Sequence, residues 1–259
     1  MENIKLIGQQ NARDLGGIQT LEGKTIRKHV FLRSGALNHL TLGDMVTLTK
    51  TYDVNTVIDL RTHLETAERP DRIIPNVHYE HIPVFSTSTK GISHEFNDLL
   101  DHGRMPDMEQ LYKAMVLQPE CIQQLKKIFR IILKHEDGAV LWHCSEGKDR
   151  AGIVSALFLS LMDVDRQTIY RDYLWTNKAP SRSMDRTVRA VLLRTGDHEK
   201  AHAVKEIFSA KIRYMDAAFE AIEQNYGTVT NYLTEALEIP SAEQQAFRSQ
   251  WTVKKGSDR

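Results

Sequence analysis

Ten residues, His143-Cys144-Ser145-Glu146-Gly147-Lys148-Asp149-Arg150-Ala151-Gly152, constrain this chain more than any other stretch. Upstream lies the apolar run Ala139-Val140-Leu141-Trp142; downstream, Ile153, Val154, Ala156, Leu157, Phe158, Leu159 and Leu161 are apolar. The first reads as a fully buried strand and the second as a helix buried on nearly every side. A short loop between such elements aims backbone N–H groups and the positive end of a helix dipole into one concavity, which suits an anion.

The residue types supply chemistry to that concavity. A free thiol has a pKa near 8.5, and a helix N-terminus with an adjacent cation can bring it to about 5.5 or lower. Cys144 is then a nucleophile able to take a phosphoryl group, leaving a phosphocysteine for water to cleave. Arg150 offers a planar fork that can clamp two phosphoryl oxygens, which a lysine cannot do. Gly147 permits a backbone conformation that side chains resist. Ser145, Glu146, Gly147, Lys148, Asp149 and Arg150 are the candidate phosphate-binding residues, with His143 a support for the loop. From average residue usage, the His-Cys-x-x-Gly-x-x-Arg spacing arises by chance in on the order of one chain in a few thousand.

This loop resembles the signature of the cysteine-dependent protein tyrosine phosphatase superfamily. Its Gly147-Lys148-Asp149-Arg150 form is similar to a bacterial branch of tyrosine and phosphoinositide phosphatases. Asn11-Ala12-Arg13-Asp14-Leu15-Gly16-Gly17, Phe31-Leu32-Arg33-Ser34-Gly35, Val57-Ile58-Asp59-Leu60-Arg61 and Asp172-Tyr173-Leu174 resemble other motifs of that branch. The resemblance runs from about residue 8 to about residue 250. It implies one phosphatase domain over 1–259, hydrolysing phosphotyrosine and extending to phosphoserine, phosphothreonine and phosphoinositides, with inorganic phosphate as product. It also implies that an aspartate inside the loop can serve as general acid. One position departs: Ala151 stands where most members carry a serine or threonine whose hydroxyl bonds the cysteine sulfur.

A leaving alkoxide or phenolate needs a proton. Asp149 is the first candidate for that acid. Asp107, in Met105-Pro106-Asp107, is the rival, superficially similar to the mobile acid loop of other tyrosine phosphatases; a surface Pro-Asp turn is the plainer reading. Asp59, at the end of its strand, can instead orient the loop or Arg150, and Asp71 is a further possibility. Lys148 is either an extra cation for substrates with several phosphates or a solvated loop lysine. Glu146 at the mouth disfavours highly charged substrates unless it turns outward. His78 and His81 form the densest histidine pair, but residues three apart on a strand face opposite sides, so no metal site and no cofactor is expected.

Length and composition agree with a globular enzyme: 259 residues, 41% hydrophobic and 26% charged. The 34 basic and 34 acidic residues cancel, which gives no reason to expect nucleic acid or an anionic membrane as a bulk partner. No apolar run reaches the length of a membrane span, and the start lacks a signal-peptide pattern. Two cysteines, Cys121 and Cys144, make no disulfide framework, so a cytoplasmic setting is expected, with leaderless secretion left open.

Strands are expected within 4–34, near 55–60 and near 77–84, and a helix over 42–52. Residues 85–107 read as a loop-rich excursion. A lid-like insertion is expected around 85–135, with helices near 108–117 and 119–135. From the loop onward the chain reads as nearly all helical to residue 252. The fold class is α/β: a central, mostly parallel sheet flanked by helices, with a helix-rich C-terminal half and ligand at the carboxyl ends of the strands. The competing function is a catalytically weak or silent phosphate-binding module, made thinkable by Ala151. A rhodanese-like sulfur transferase is a third.

Overall fold

The computed structural model describes residues 2–9, 11–85, 107–179 and 181–256. Among the described residues, eight strands, β1 (Glu2–Asn3), β2 (Arg13–Asp14), β3 (Lys24–Ile26), β4 (Phe31–Ser34), β5 (Val54–Asp59), β6 (His78–His81), β7 (Ala139–His143) and β8 (Thr252–Lys254), form two sheets. The larger has the order β1-β2-β4-β7-β5-β6; its last four strands are parallel and β1 and β2 run antiparallel at one edge. Strand β7 is central and buried at every residue, as its unbroken apolar run requires. Its register sets His143 beside Ser34 on one side and Asp59 on the other, with His81 beyond. The carboxyl ends of four parallel strands therefore share one edge, and the segments leaving them build the site.

Helix α5 (Arg150–Leu161) follows β7 directly and is buried at all but one of its residues, because its apolar side chains leave no polar face. Helices α3 (Met108–Leu117) and α4 (Pro119–Leu133) bury Leu111, Tyr112, Met115, Leu125 and Ile128 in the main core. Residues 108–133 of the expected insertion are thus packed into the core rather than laid over it; the part at 86–106 lies outside the described residues. Helices α6 (Arg166–Trp175), α7 (Arg182–Thr195), α8 (His198–Phe208), α9 (Ile212–Tyr226), α10 (Val229–Glu235) and α11 (Ser241–Trp251) complete the helix-rich half.

Two local findings refine the sequence reading. The helix expected over 42–52 is α1 (Leu42–Val46), continued by a wider π-helical turn at Thr47–Thr51. The Thr47 and Thr49 hydroxyls donate back to the Gly43 and Met45 carbonyls, a competition with the backbone that loosens helices. At the C-terminus, Thr252–Lys254 is a strand paired antiparallel with Lys24–Ile26.

Candidate active site

Loop 144–149 leaves the central strand and enters α5, with Arg150 as that helix's first residue. Its shape is imposed from outside. The carbonyls of Ser145, Glu146 and Gly147 accept from Ala36 N (3.0 Å), Asn11 Nδ2 (2.8 Å) and Arg33 Nη2 (2.7 Å). A trans peptide points its N–H opposite to its C=O, so the N–H groups of Glu146, Gly147 and Lys148 face away from these partners. Gly147 has φ +69°, and a Cβ there would lie 2.6 Å from the Ser34 carbonyl. Only glycine satisfies both conditions.

The supporting residues form a buried ionic frame. Asp172 accepts from Arg13 Nε at 2.7 Å and from Arg33 Nη1 at 2.5 Å, and Arg13 also donates to Asn11 Oδ1 at 2.6 Å. Burial and the neighbouring Arg33 charge bring Arg13 down to about 10, against the opposing pull of Asp172. Three motifs distant in sequence (Asn11/Arg13, Arg33 and Asp172) thereby hold the carbonyl side of one loop.

Arg150 is 2% exposed. Its Nη1 and Nη2 donate to the two carboxylate oxygens of Glu65, at 2.5 and 2.8 Å, and Nε has no partner. Glu65 also accepts from the Ser145 hydroxyl and from Thr62 N and Oγ1. Burial opposes ionisation of Glu65, but Arg150 outweighs it and holds the carboxyl well below the usual range. Burial likewise opposes the charge on Arg150, and Glu65 more than compensates. Glu65 was not singled out from the sequence. Its signal was Thr62-His63-Leu64-Glu65, a capping box at the start of α2 (His63–Glu68), which fixes the carboxylate beside the loop.

His143 is fully buried; its Nε2 lies 2.9 Å from Asp71 Oδ2 and 3.9 Å from Asp59 Oδ1. Burial works against a charged imidazole, and the two carboxylates outweigh it and raise its pKa. Arg61 joins the same group, at 2.7 Å from Asp59 and 2.9 Å from Asp71. Asp59, Asp71 and His143 are close enough together to gather round a metal ion, but the Arg61 guanidinium already supplies positive charge there. Asp59 also accepts the Arg61 backbone N–H. His78 and His81 take different partners, Glu80 and the Arg61 carbonyl.

Asp149 is 4% exposed, and its Oδ1 receives the Tyr112 hydroxyl at 2.7 Å and lies 3.2 Å from Lys148 Nζ. Lys148 is 2% exposed, so the solvated reading is excluded; its ammonium donates to the carbonyls of Ile207 and Ser209. Asp107 is an exposed cap that accepts from Gln110 N at the start of α3. The Glu146 carboxylate accepts from Ser181 Oγ at 2.8 Å. A cleft of about 400 Å³ opens on Ser145 and Glu146, with Asn11, Arg61, Arg186 and Lys205 among its walls; Cys144, 2% exposed, lies outside this lining.

A profile for the "Tyrosine phosphatase family" matches residues 4–253. The chain belongs to the tyrosine phosphatase family. It is 26% identical to a candidate tyrosine-protein phosphatase of Cupriavidus necator, across 90% of this chain and 83% of that one. It is 24% identical to the triple specificity protein phosphatase PtpB of Mycobacterium tuberculosis, across 90% and 93%. A tyrosine-protein phosphatase of Nostoc commune is 32% identical over 55% of this chain and 47% of its own. Among solved structures, the core catalytic domain of the PP-IP phosphatase SIW14 from S. cerevisiae matches 79% of this chain and 97% of its own, at 14% identity and a TM-score of 0.40.

Ala151 is fully buried at the second position of α5. A hydroxyl bonding a departing thiolate is worth roughly 1.5–3 kcal/mol. Where the reaction runs through a phosphocysteine, the absence of that hydroxyl should slow the hydrolysis step by on the order of tenfold to a hundredfold. A burst of phenolate is therefore expected before the steady state, and Ala151→Ser should raise the steady rate and shrink the burst. Stopped-flow measurement with an aryl phosphate decides this. No burst in either enzyme would mean that another donor serves the sulfur.

Proposed function

We propose that this tyrosine phosphatase family member works as one domain that hydrolyses phosphate monoesters through a phosphocysteine on Cys144, with phosphotyrosine the leading substrate. The carrying observation is the way Arg150 is held. Glu65 occupies the far edge of the guanidinium, Nη1 and Nη2, while buried Nε is unpartnered. The remaining edge, Nε–H with the second Nη2–H, is a parallel pair of donors spaced for two phosphoryl oxygens. Cys144 and Arg150 stand at the two ends of the loop between β7 and α5, which supports one site for the nucleophile and the clamp.

In the first step the Cys144 thiolate attacks phosphorus, the ester P–O bond breaks, and the acid protonates the leaving oxygen. The loop N–H groups and Arg150 stabilise the charge that spreads over the equatorial oxygens. Water then cleaves the S–P bond, giving inorganic phosphate and the regenerated thiolate. Asp149 is the acid in this reading, Lys148 contributes its N–H and its charge to the cradle, and His143 and Asp59 support the loop. Phosphoinositides enter as second substrates, a reading supported by the name of the Mycobacterium relative, a triple specificity protein phosphatase.

The test is hydrolysis of an aryl phosphate with vanadate and, separately, with EDTA. Vanadate, a trigonal-bipyramidal mimic, should abolish turnover, and EDTA should leave it unchanged. Activity lost to chelation would overturn the thiolate mechanism, and the absence of any hydrolysis would favour the silent phosphate-binding module.

A further inference from the structure

Behind Asp149 stands a short row of buried phenols that the reaction steps above do not use. Tyr112, from α3, donates to Asp149 Oδ1 at 2.7 Å, and its oxygen lies 2.6 Å from that of Tyr173, from α6. Both side chains are essentially inaccessible to solvent. A phenol has one proton. Since that of Tyr112 points at the carboxylate, Tyr173 must donate to Tyr112. The row therefore has one polarity: Tyr173 to Tyr112, Tyr112 to Asp149.

Neither phenol releases its proton at a pH at which the enzyme works, so this row is not a proton wire. It is a fixed stack of dipoles ending on one oxygen of one carboxylate, each bond polarising the next. Burial foremost, and the Asp149 charge after it, push both phenols above their ordinary range, so they stay protonated donors throughout. Lys148, whose ring neighbour is Tyr214, adds its charge to the same Oδ1 at 3.2 Å, and the Arg150 charge also reaches Asp149.

We infer that Tyr112, backed by Tyr173, is a positioning residue that reserves Oδ1 of Asp149 as an acceptor and so confines the transferable proton to Oδ2. This rests on the reading of Asp149 as the acid. An oxygen already receiving a phenol and facing an ammonium is the poorer place for a proton, and the other oxygen is left to meet the leaving group. The sequence held part of the signal: Tyr173 stands within the Asp172-Tyr173-Leu174 motif.

The experiment compares Tyr112→Phe, Tyr173→Phe and Asp149→Asn on two aryl phosphates, one with an activated nitrophenol leaving group and one with plain phenol. Each Tyr→Phe change keeps the ring and removes one hydroxyl, and Tyr173→Phe serves if Tyr112→Phe fails to fold. A lost hydrogen bond to a charged group predicts a kcat on phenyl phosphate lower by on the order of tenfold to a hundredfold for Tyr112→Phe. A smaller loss is expected for Tyr173→Phe, and in both variants the activated ester should suffer markedly less. Equal losses on both esters in the Tyr variants, with Asp149→Asn still selective for the poor leaving group, would overturn this inference alone. An Asp149→Asn enzyme that loses equally on both would instead remove Asp149 as the acid.

Discussion

Cys144→Ser enzyme should release no measurable phosphate from an aryl phosphate, a loss on the order of 10⁴-fold or more, since removing the nucleophile removes the covalent route. The same protein should still bind inorganic phosphate. A serine hydroxyl does not ionise near neutral pH, so the attacking electron pair is gone. The cradle remains, because its shape comes from the Asn11, Arg33 and Ala36 bonds to loop carbonyls and none of these involves the sulfur. Loss of the thiolate also removes a negative charge that competes with the bound anion. Phosphate affinity measured by calorimetry should therefore hold or rise. A Cys144→Ser enzyme with substantial turnover would end the phosphocysteine mechanism.

Much of this arrangement was readable because the informative signals are local. The apolar run 139–142, the loop and the apolar helix after it are contiguous, and the structure keeps that order as strand, loop and helix. The parallel sheet followed from alternating elements around a buried run. Long-range pairings were less legible. Arg13, Arg33 and Asp172 belong to separate motifs, yet no spacing says that one carboxylate takes both guanidinium groups; that depends on β2, β4 and α6 converging beneath the loop. Glu65 is 85 positions from its partner Arg150, and its capping box reads locally as a helix start with no hint of the second role. The pairing of Thr252–Lys254 with Lys24–Ile26 joins the two ends of the chain, which a three-residue strand cannot announce. Lys148 allows two readings by type, a cation for extra phosphates or a solvated loop lysine, and only the fold shows that carbonyls at the end of α8 hold its ammonium in the interior.

Arg150→Lys is the substitution expected to cost most after Cys144. Deleting one preorganised donor of a transition-state oxyanion costs about 2.7–4 kcal/mol, or on the order of 10²- to 10³-fold in kcat. Here two parallel donors vanish, so the upper end is expected. Lysine has a second deficiency at this position. Its single ammonium can offer neither Glu65 nor the phosphoryl group a parallel pair of donors, whereas the guanidinium serves Glu65 with one edge and keeps the other free. Glu65→Gln tests that division of labour from the opposite side. The amide still accepts one hydrogen bond but loses its charge, so Arg150 keeps its place less firmly and its clamp is aimed less well. Breaking a buried pair outright is worth about 3–5 kcal/mol of stability, so Glu65→Ala should lower the melting temperature as well as kcat. The decisive measurement is a double-mutant cycle on kcat/KM with Glu65→Gln and Arg150→Lys. If Glu65 acts by aiming Arg150, its substitution should do little once the guanidinium is gone, and the two effects should fall well short of adding. Full additivity would mean that Glu65 contributes independently, through Ser145 or the helix cap alone.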